Sequence, residues 1–221
     1  MDNGLSEIVV LRPTAVFFSF LASQLGEDNL PSFKSLQTDN TAYLIKKYPT
    51  EEGTLDELER LYSKMFRHEI CRWLGQEARN EIEKSFLDFL CCFKLEFHSH
   101  LILLESSLSQ AKQMVQLRPR IKLLQWLNRV VEDQPDLVHV MEQVNLSHLA
   151  ENASVLLKNF NQLTEIKPFL QSHYKSLFTA GMSRLTNESE QWPKITSFQE
   201  FTHYFSVEIH TQLISYASLG V

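Results

Sequence analysis

The chain has 221 residues, 43% of them hydrophobic and 22% charged, with a formal net charge of −6 at pH 7; these are values of a soluble globular protein and lie outside the disordered class. The acidic balance argues against a general nucleic-acid binder, which presents a basic surface. Six glycines, none in a Gly-x-Gly or Gly-Lys-Ser/Thr pattern, exclude the common phosphate-cradling loops.

The N-terminal stretch is acidic rather than basic, so it does not read as a secretory signal, and "AVFFSFLASQL" is too short to span a bilayer. "EIVVL" (Glu7–Leu11) reads as a strand closed by Pro13, and Thr14 as the cap of a helix ending at Gly26. A second strand is expected over Asn40–Pro49. Thr54 and Glu57 form a capping-box pattern before a helix whose apolar stripe is Leu55, Leu58, Leu61, Tyr62, Met65, Ile70 and Trp73 and which stops at Gly75. A further helix is expected over Ala78–Phe93, then a strand in "KLEFHSHLILLE" (Lys94–Glu105). The basic run Lys112–Lys122 reads as a helix entrance, with Pro119 in the first turn. Helices are then expected over Asp136–Val144, Ser147–Leu163, Thr164–Leu185 and Ser197–Leu219, with Thr186–Pro193 an exposed loop.

No internal repeat and no long linker is read. The expected fold is mostly α: an irregular helical bundle with a small sheet of two to four strands from the N-terminal half, an α+β arrangement being the other solution. The chain is taken as one domain over 1–221; its alternative subdivision is an α+β part, 1–110, and a helical part, 111–221.

The strand over Lys94–Glu105 raises the question of a metal. On a two-residue period Glu96, His98 and His100 share one face, and two His at that spacing with a carboxylate can grip zinc or iron. The plainer reading is a half-exposed strand with its polar residues outward. His68 and Cys71 sit three apart in "HEIC", a pairing that would suit a thiol enzyme, although a cysteine among Leu, Met and Trp is more often buried and inert. No Gly-x-Ser-x-Gly elbow is present. Cys71, Cys91 and Cys92 are an odd set with no disulfide framework, which points to a reducing, cytoplasmic compartment.

In the C-terminal segment, Phe198, Phe201, Phe205, Ile209, Leu213 and Tyr216 recur at helical steps as one apolar face, with Trp192 in the loop before it. Such a face closes a core or docks on a partner. The expectation is therefore a non-catalytic protein-interaction module: an adaptor, a chaperone-like factor or an accessory subunit of a larger assembly, of which bacterial secretion assemblies are an example. Its partners are proteins, with no nucleic acid, no direct membrane insertion and no cofactor. The alternative is a small enzyme using Glu96, His98 and His100 with a metal, or Cys71 with His68.

Overall fold

The structure, a computed structural model, describes residues 6–26, 29–76, 84–104, 110–132, 144–186 and 188–216. They fall into two compact units, one made of Met1–Phe97 with His210–Val221, the other of His98–Ile209. Each unit is built on its own four-stranded sheet. This overturns the expectation of a mostly helical bundle with one small sheet. The sheets come from both halves of the sequence, and in each one parallel and antiparallel pairings coexist.

In the first unit β1 (Ser6–Pro13) leads to α1 (Ala15–Leu25), the short α2 (Phe33–Leu36), β2 (Ala42–Lys46), α3 (Glu51–Leu74), α4 (Phe86–Cys92) and β3 (Phe93–His98). Thr14 caps α1 by accepting from the Val16 N–H, and Gly26, at φ 72°, ends it. Gly75, at φ 88°, ends α3 in the same way. The α3 cap is Thr50, which accepts from the Gly53 N–H, so Thr54 lies inside the helix rather than at its start. Ser85 and Asp88 make a reciprocal capping box at the start of α4. The upstream part of the helix expected over Ala78–Phe93 lies outside the described residues, as does nearly all of the one expected over Asp136–Val144.

The second unit contains β4 (Leu101–Leu103), β5 (Gln113–Pro119), α5 (Ile121–Glu132), α6 (Leu146–Ala150), β6 (Val155–Lys158), α7 (Ile166–Ser183), α8 (Phe198–Tyr204) and β7 (Phe205–His210). Three expectations fail here. The basic run before α5 is largely strand: Met114, Val115 and Leu117 are buried in β5, and Pro119 closes it. The helix expected over Ser147–Leu163 stops at Ala150, because Val155, Leu156 and Leu157 pair with β5. The helix expected over Ser197–Leu219 stops at Tyr204, after which the chain is β7 and then β8 (Leu213–Ser215). Its start is as expected, a capping box of Ser197 with Glu200.

The sheet of the first unit runs β3-β1-β2-β8 and that of the second β7-β5-β6-β4. This is one plan used twice, and it overturns the reading that the sequence holds no repeat. β1 and β5 match as "VVLRP" and "VQLRP"; β3 and β7 match as "FKLEFH" and "FSVEIH". The backbone repeats bond for bond. The Leu11 N–H reaches the Thr41 carbonyl at 3.3 Å as Leu117 reaches Ser154 at 3.0 Å, and Thr14 reaches Cys92 at 2.9 Å as Arg120 reaches Tyr204 at 2.8 Å. Two non-glycine residues with positive φ, Asp39 (55°) and Asn152 (53°), make the turn before β2 and before β6.

The repeat also accounts for the abundance of Phe. Phe66 meets Phe93 edge-on at 6.3 Å, and Phe178 meets Phe205 edge-on at 6.0 Å. Phe86–Phe89–Phe93 forms a ladder in one unit and Phe198–Phe201–Phe205 the same ladder in the other. Each ladder packs within its unit's own apolar core.

Candidate functional site

The stretch Lys94–Glu105 is not one strand. β3 ends at His98, Ser99 and His100 are in neither strand, and β4 begins at Leu101 and belongs to the other sheet. The alternation that would align Glu96, His98 and His100 is therefore broken after His98. Glu96 accepts from Arg12 Nε at 2.7 Å. His98 is fully buried and its Nδ1 donates to the Ala153 carbonyl at 3.1 Å. His100 Nδ1 lies 2.6 Å from Ser154 Oγ. Burial, with the nearby Arg184 as a second cause, holds the His100 imidazole below its ordinary pKa. Among the described residues no group of three or more His, Cys, Asp or Glu side chains is placed to hold a metal ion.

Both units use the same pairs. Arg12 and Glu96 join β1 to β3; Arg118 Nη1 and Glu208, at 3.0 Å, join β5 to β7. His210, also fully buried, donates from Nδ1 to the Asn40 carbonyl at 2.7 Å, as His98 does to Ala153. At the end of the long helix, Arg72 reaches the Asp39 carbonyl at 2.6 Å, and Arg184 reaches the Glu151 carbonyl at 2.9 Å, one residue before the counterpart of Asp39. Each of these side chains fastens a strand or a turn in both copies. That recurrence assigns them to the fold.

A polar group present in one copy alone marks a different kind of position. On α3 the buried Glu69 accepts from the Tyr43 hydroxyl at 2.9 Å, and that hydroxyl lies 3.1 Å from His68 Nδ1. The Tyr216 ring stacks on Tyr43 with centroids 5.8 Å apart and planes within 6°. Where the first unit has Glu69, three residues after Phe66, the second has Gly181, three after Phe178. Likewise Ala180, Leu156 and Leu104 stand at the places of His68, Tyr43 and Tyr216. Desolvation and then the Glu69 carboxylate push the Tyr43 phenol well up, so it stays a hydrogen-bond donor; Tyr216 is raised for the same reasons. The Tyr43 and Glu69 side chains are sealed from solvent, so this group acts as a clasp between α3, β2 and the returning C-terminal segment. His68 serves that clasp, and no bond joins it to Cys71, which is half-buried. Burial pushes the Cys92 thiol up to about 11, which disfavours the thiolate.

The single C-terminal helix expected to carry the aromatic face is not formed, since the helix ends at Tyr204 and strands follow. Phe201 and Phe205 lie in the core of the second unit, and Trp192, Phe198 and Ile209 pack against that core half-buried. Leu213 is in β8 beside β2, and Tyr216 lies against Tyr43, both in the first unit. Sequence reasoning missed the apolar residues that are exposed instead. On α1 and α4 these include Val16 and Leu87, with Cys91 exposed one turn beyond Leu87. The two helices are tied together where the Thr14 hydroxyl donates to the Cys91 carbonyl at 2.7 Å. The equivalent positions of the second unit are Lys122, Gln199 and His203. No described helix is long and apolar enough to cross a membrane. No family model, no curated protein and no solved structure matches this chain.

Proposed function

We propose that the chain is a non-catalytic protein-interaction module, an adaptor or accessory subunit whose partner is a protein surface rather than nucleic acid or lipid. The observation that carries this reading is the recurrence of the reactive-looking side chains. Glu96 and Glu208, and His98 and His210, have the same intramolecular partners in both units and are thereby accounted for as structure. Less supports a metal-assisted enzyme on Glu96, His98 and His100, since Arg12 neutralises the carboxylate and a carbonyl occupies His98 Nδ1. Less also supports a thiol enzyme, because the His68 ring faces a phenol and a carboxylate.

The surface taken for this contact is the apolar shelf of α1 and α4, where Val16 is 53% and Leu87 74% exposed; their counterparts are Lys122 and Gln199, although α5 exposes Ile121 at 56%. Burying such a shelf against a partner contributes roughly 25 cal/mol per Å² before the costs of association. The test is a photo-crosslinking residue at position 87 together with a Val16→Glu, Leu87→Glu variant. Surface changes of this kind leave stability within about 0.5 kcal/mol. The expected result is a crosslink to one defined protein in native lysate, with that protein's recovery reduced about tenfold or more by the double variant. Unchanged recovery by the double variant would place the contact elsewhere, and turnover of a small molecule would overturn the reading.

A further inference from the structure

Each sheet takes its fourth strand from the far half of the sequence. β8, at the C-terminal end of the chain, runs parallel to β2 in the first unit, with Leu213, Ile214 and Ser215 opposite Ala42, Tyr43 and Leu44. β4, which follows the first unit's β3, runs parallel to β6 in the second, with Leu101, Ile102 and Leu103 opposite Val155, Leu156 and Leu157. The two additions are made by the same bonds. Ala42 N–H donates to the Gln212 carbonyl and Val155 N–H to that of His100, at 3.0 and 3.1 Å; Tyr216 N–H reaches Leu44 and Leu104 N–H reaches Leu157, at 2.8 and 3.0 Å. Ile214 packs on the first core and Ile102 on the second.

We propose that the outer edges of β2 and β6 are docking sites, each built to take a short parallel strand from the other half of the chain. On this reading the chain is a fused pair of equivalent halves that recognise each other by reciprocal strand donation. The peptide between β4 and β5 is then not what keeps them together. Parallel strands have no hairpin to hold them, so the donated strand must be recognised through its backbone ladder and its apolar anchor. The two donations reinforce one another, because release of one half requires both strands to leave together. Asp39 steers the incoming C-terminal strand by accepting from the Thr211 N–H and hydroxyl, each at 2.6 Å, and Asn152 accepts from the corresponding Ser99 N–H at 3.3 Å and hydroxyl at 3.2 Å.

The test uses the full chain with a protease site placed within residues 105–109, cut only after the protein has folded. A denaturing gel establishes complete cleavage, and native mass spectrometry with size exclusion reports whether the pieces remain together. The expected result is a single particle of the uncut mass at micromolar concentration. Pieces that part at that concentration would overturn the proposal. A Leu104→Pro, Tyr216→Pro chain removes one backbone donor from each donated strand. After cutting, its halves should dissociate about a hundredfold more readily than the unsubstituted cut chain. Equal retention with both prolines would overturn strand docking even if the halves stay together. Should the prolines prevent folding of the uncut chain, Ile102→Ala with Ile214→Ala keeps every backbone donor. It should give a rise of about tenfold in the same measurement, and no rise would count against the proposal.

Discussion

Phe205→Ala should destabilise the second unit by about 3–5 kcal/mol, and the same change should turn Gly181→Ala from harmful to favourable. Phe205 is fully buried at the foot of the Phe198–Phe201–Phe205 ladder and meets Phe178 edge-on. Gly181 is buried in α7, and a Cβ built there would lie 2.6 Å from the Phe205 Cζ, closer than carbon atoms pack. The ring cannot swing aside, because the ladder and Phe178 hold it. Gly181→Ala alone should therefore lose about 1–3 kcal/mol through overpacking, despite the roughly 0.5–1 kcal/mol that Ala contributes over Gly in a helix. With Phe205 trimmed to Ala the obstruction is gone and only the helical gain remains. Urea unfolding of both single variants and the double closes the cycle. Trp126 and Trp192 report on the second unit, so a Trp73→Phe background keeps the signal from the first out of the measurement. Additive losses would mean that glycine is not required by the ring.

The second large effect concerns the paired arginines. Arg12→Met should cost the first unit about 2–4 kcal/mol, and Arg118→Met the second about 1–2 kcal/mol. The order follows from burial. Arg12 and Glu96 are 17% and 11% exposed, against 31% and 22% for Arg118 and Glu208. Arg12 also donates to the Asn40 side chain at 3.0 Å, so its loss frees a second acceptor beneath β2. Much of the cost is the loss of the Arg12 cation beside the Glu96 carboxylate in a poorly solvated place. Arg12→Met with Glu96→Gln should therefore recover about half of it. Denaturant midpoints of the three variants measure this, and an Arg118 variant weaker than the Arg12 variant would reverse the assignment.

How far the fold was legible depended on whether its signals were local. Thr14 as a cap, Gly26 and Gly75 as stops and Ser197 with Glu200 as a start all act within one helical turn, and each stands as expected. Pro168 does fall in the first turn of α7. β6 and β7 were hidden because their residues also satisfy helical spacing. Phe201, Phe205 and Ile209 recur every four residues, while Phe205, Val207 and Ile209 equally recur every two. The partner strand 90 residues earlier decides between these readings, and no local window contains it. β5 was masked by its basic residues, although Met114, Val115 and Leu117 carried the strand signal.

The repeat was missed for a related reason. Phe66, Ser85, Phe93, Glu96 and His98 recur 112 positions later, but Val9, Leu11, Arg12 and Pro13 recur after 106. A change in loop length between them breaks any single alignment. Once the copies are superposed by their bonds, the candidate site resolves differently from its sequence reading. Glu96 and His98 were singled out as metal-ligand candidates, and Glu208 and His210 stand as their counterparts in the second copy. Glu69 gave no signal, since a carboxylate on an amphipathic helix reads as a solvated face. Its burial against Tyr43 depends on β2 crossing beneath α3.

We propose above all that the mid-chain His98 is a fold element with a twin in His210 rather than a metal ligand. The direct measurement compares His98→Ala with His210→Ala in tag-free protein, by unfolding free energy and by elemental analysis for zinc and iron. Both substitutions should cost about 1–3 kcal/mol each, from the lost bond to a buried carbonyl, with bound metal below about one-tenth of an equivalent before and after. About one equivalent of metal that disappears with His98→Ala and survives His210→Ala would contradict it.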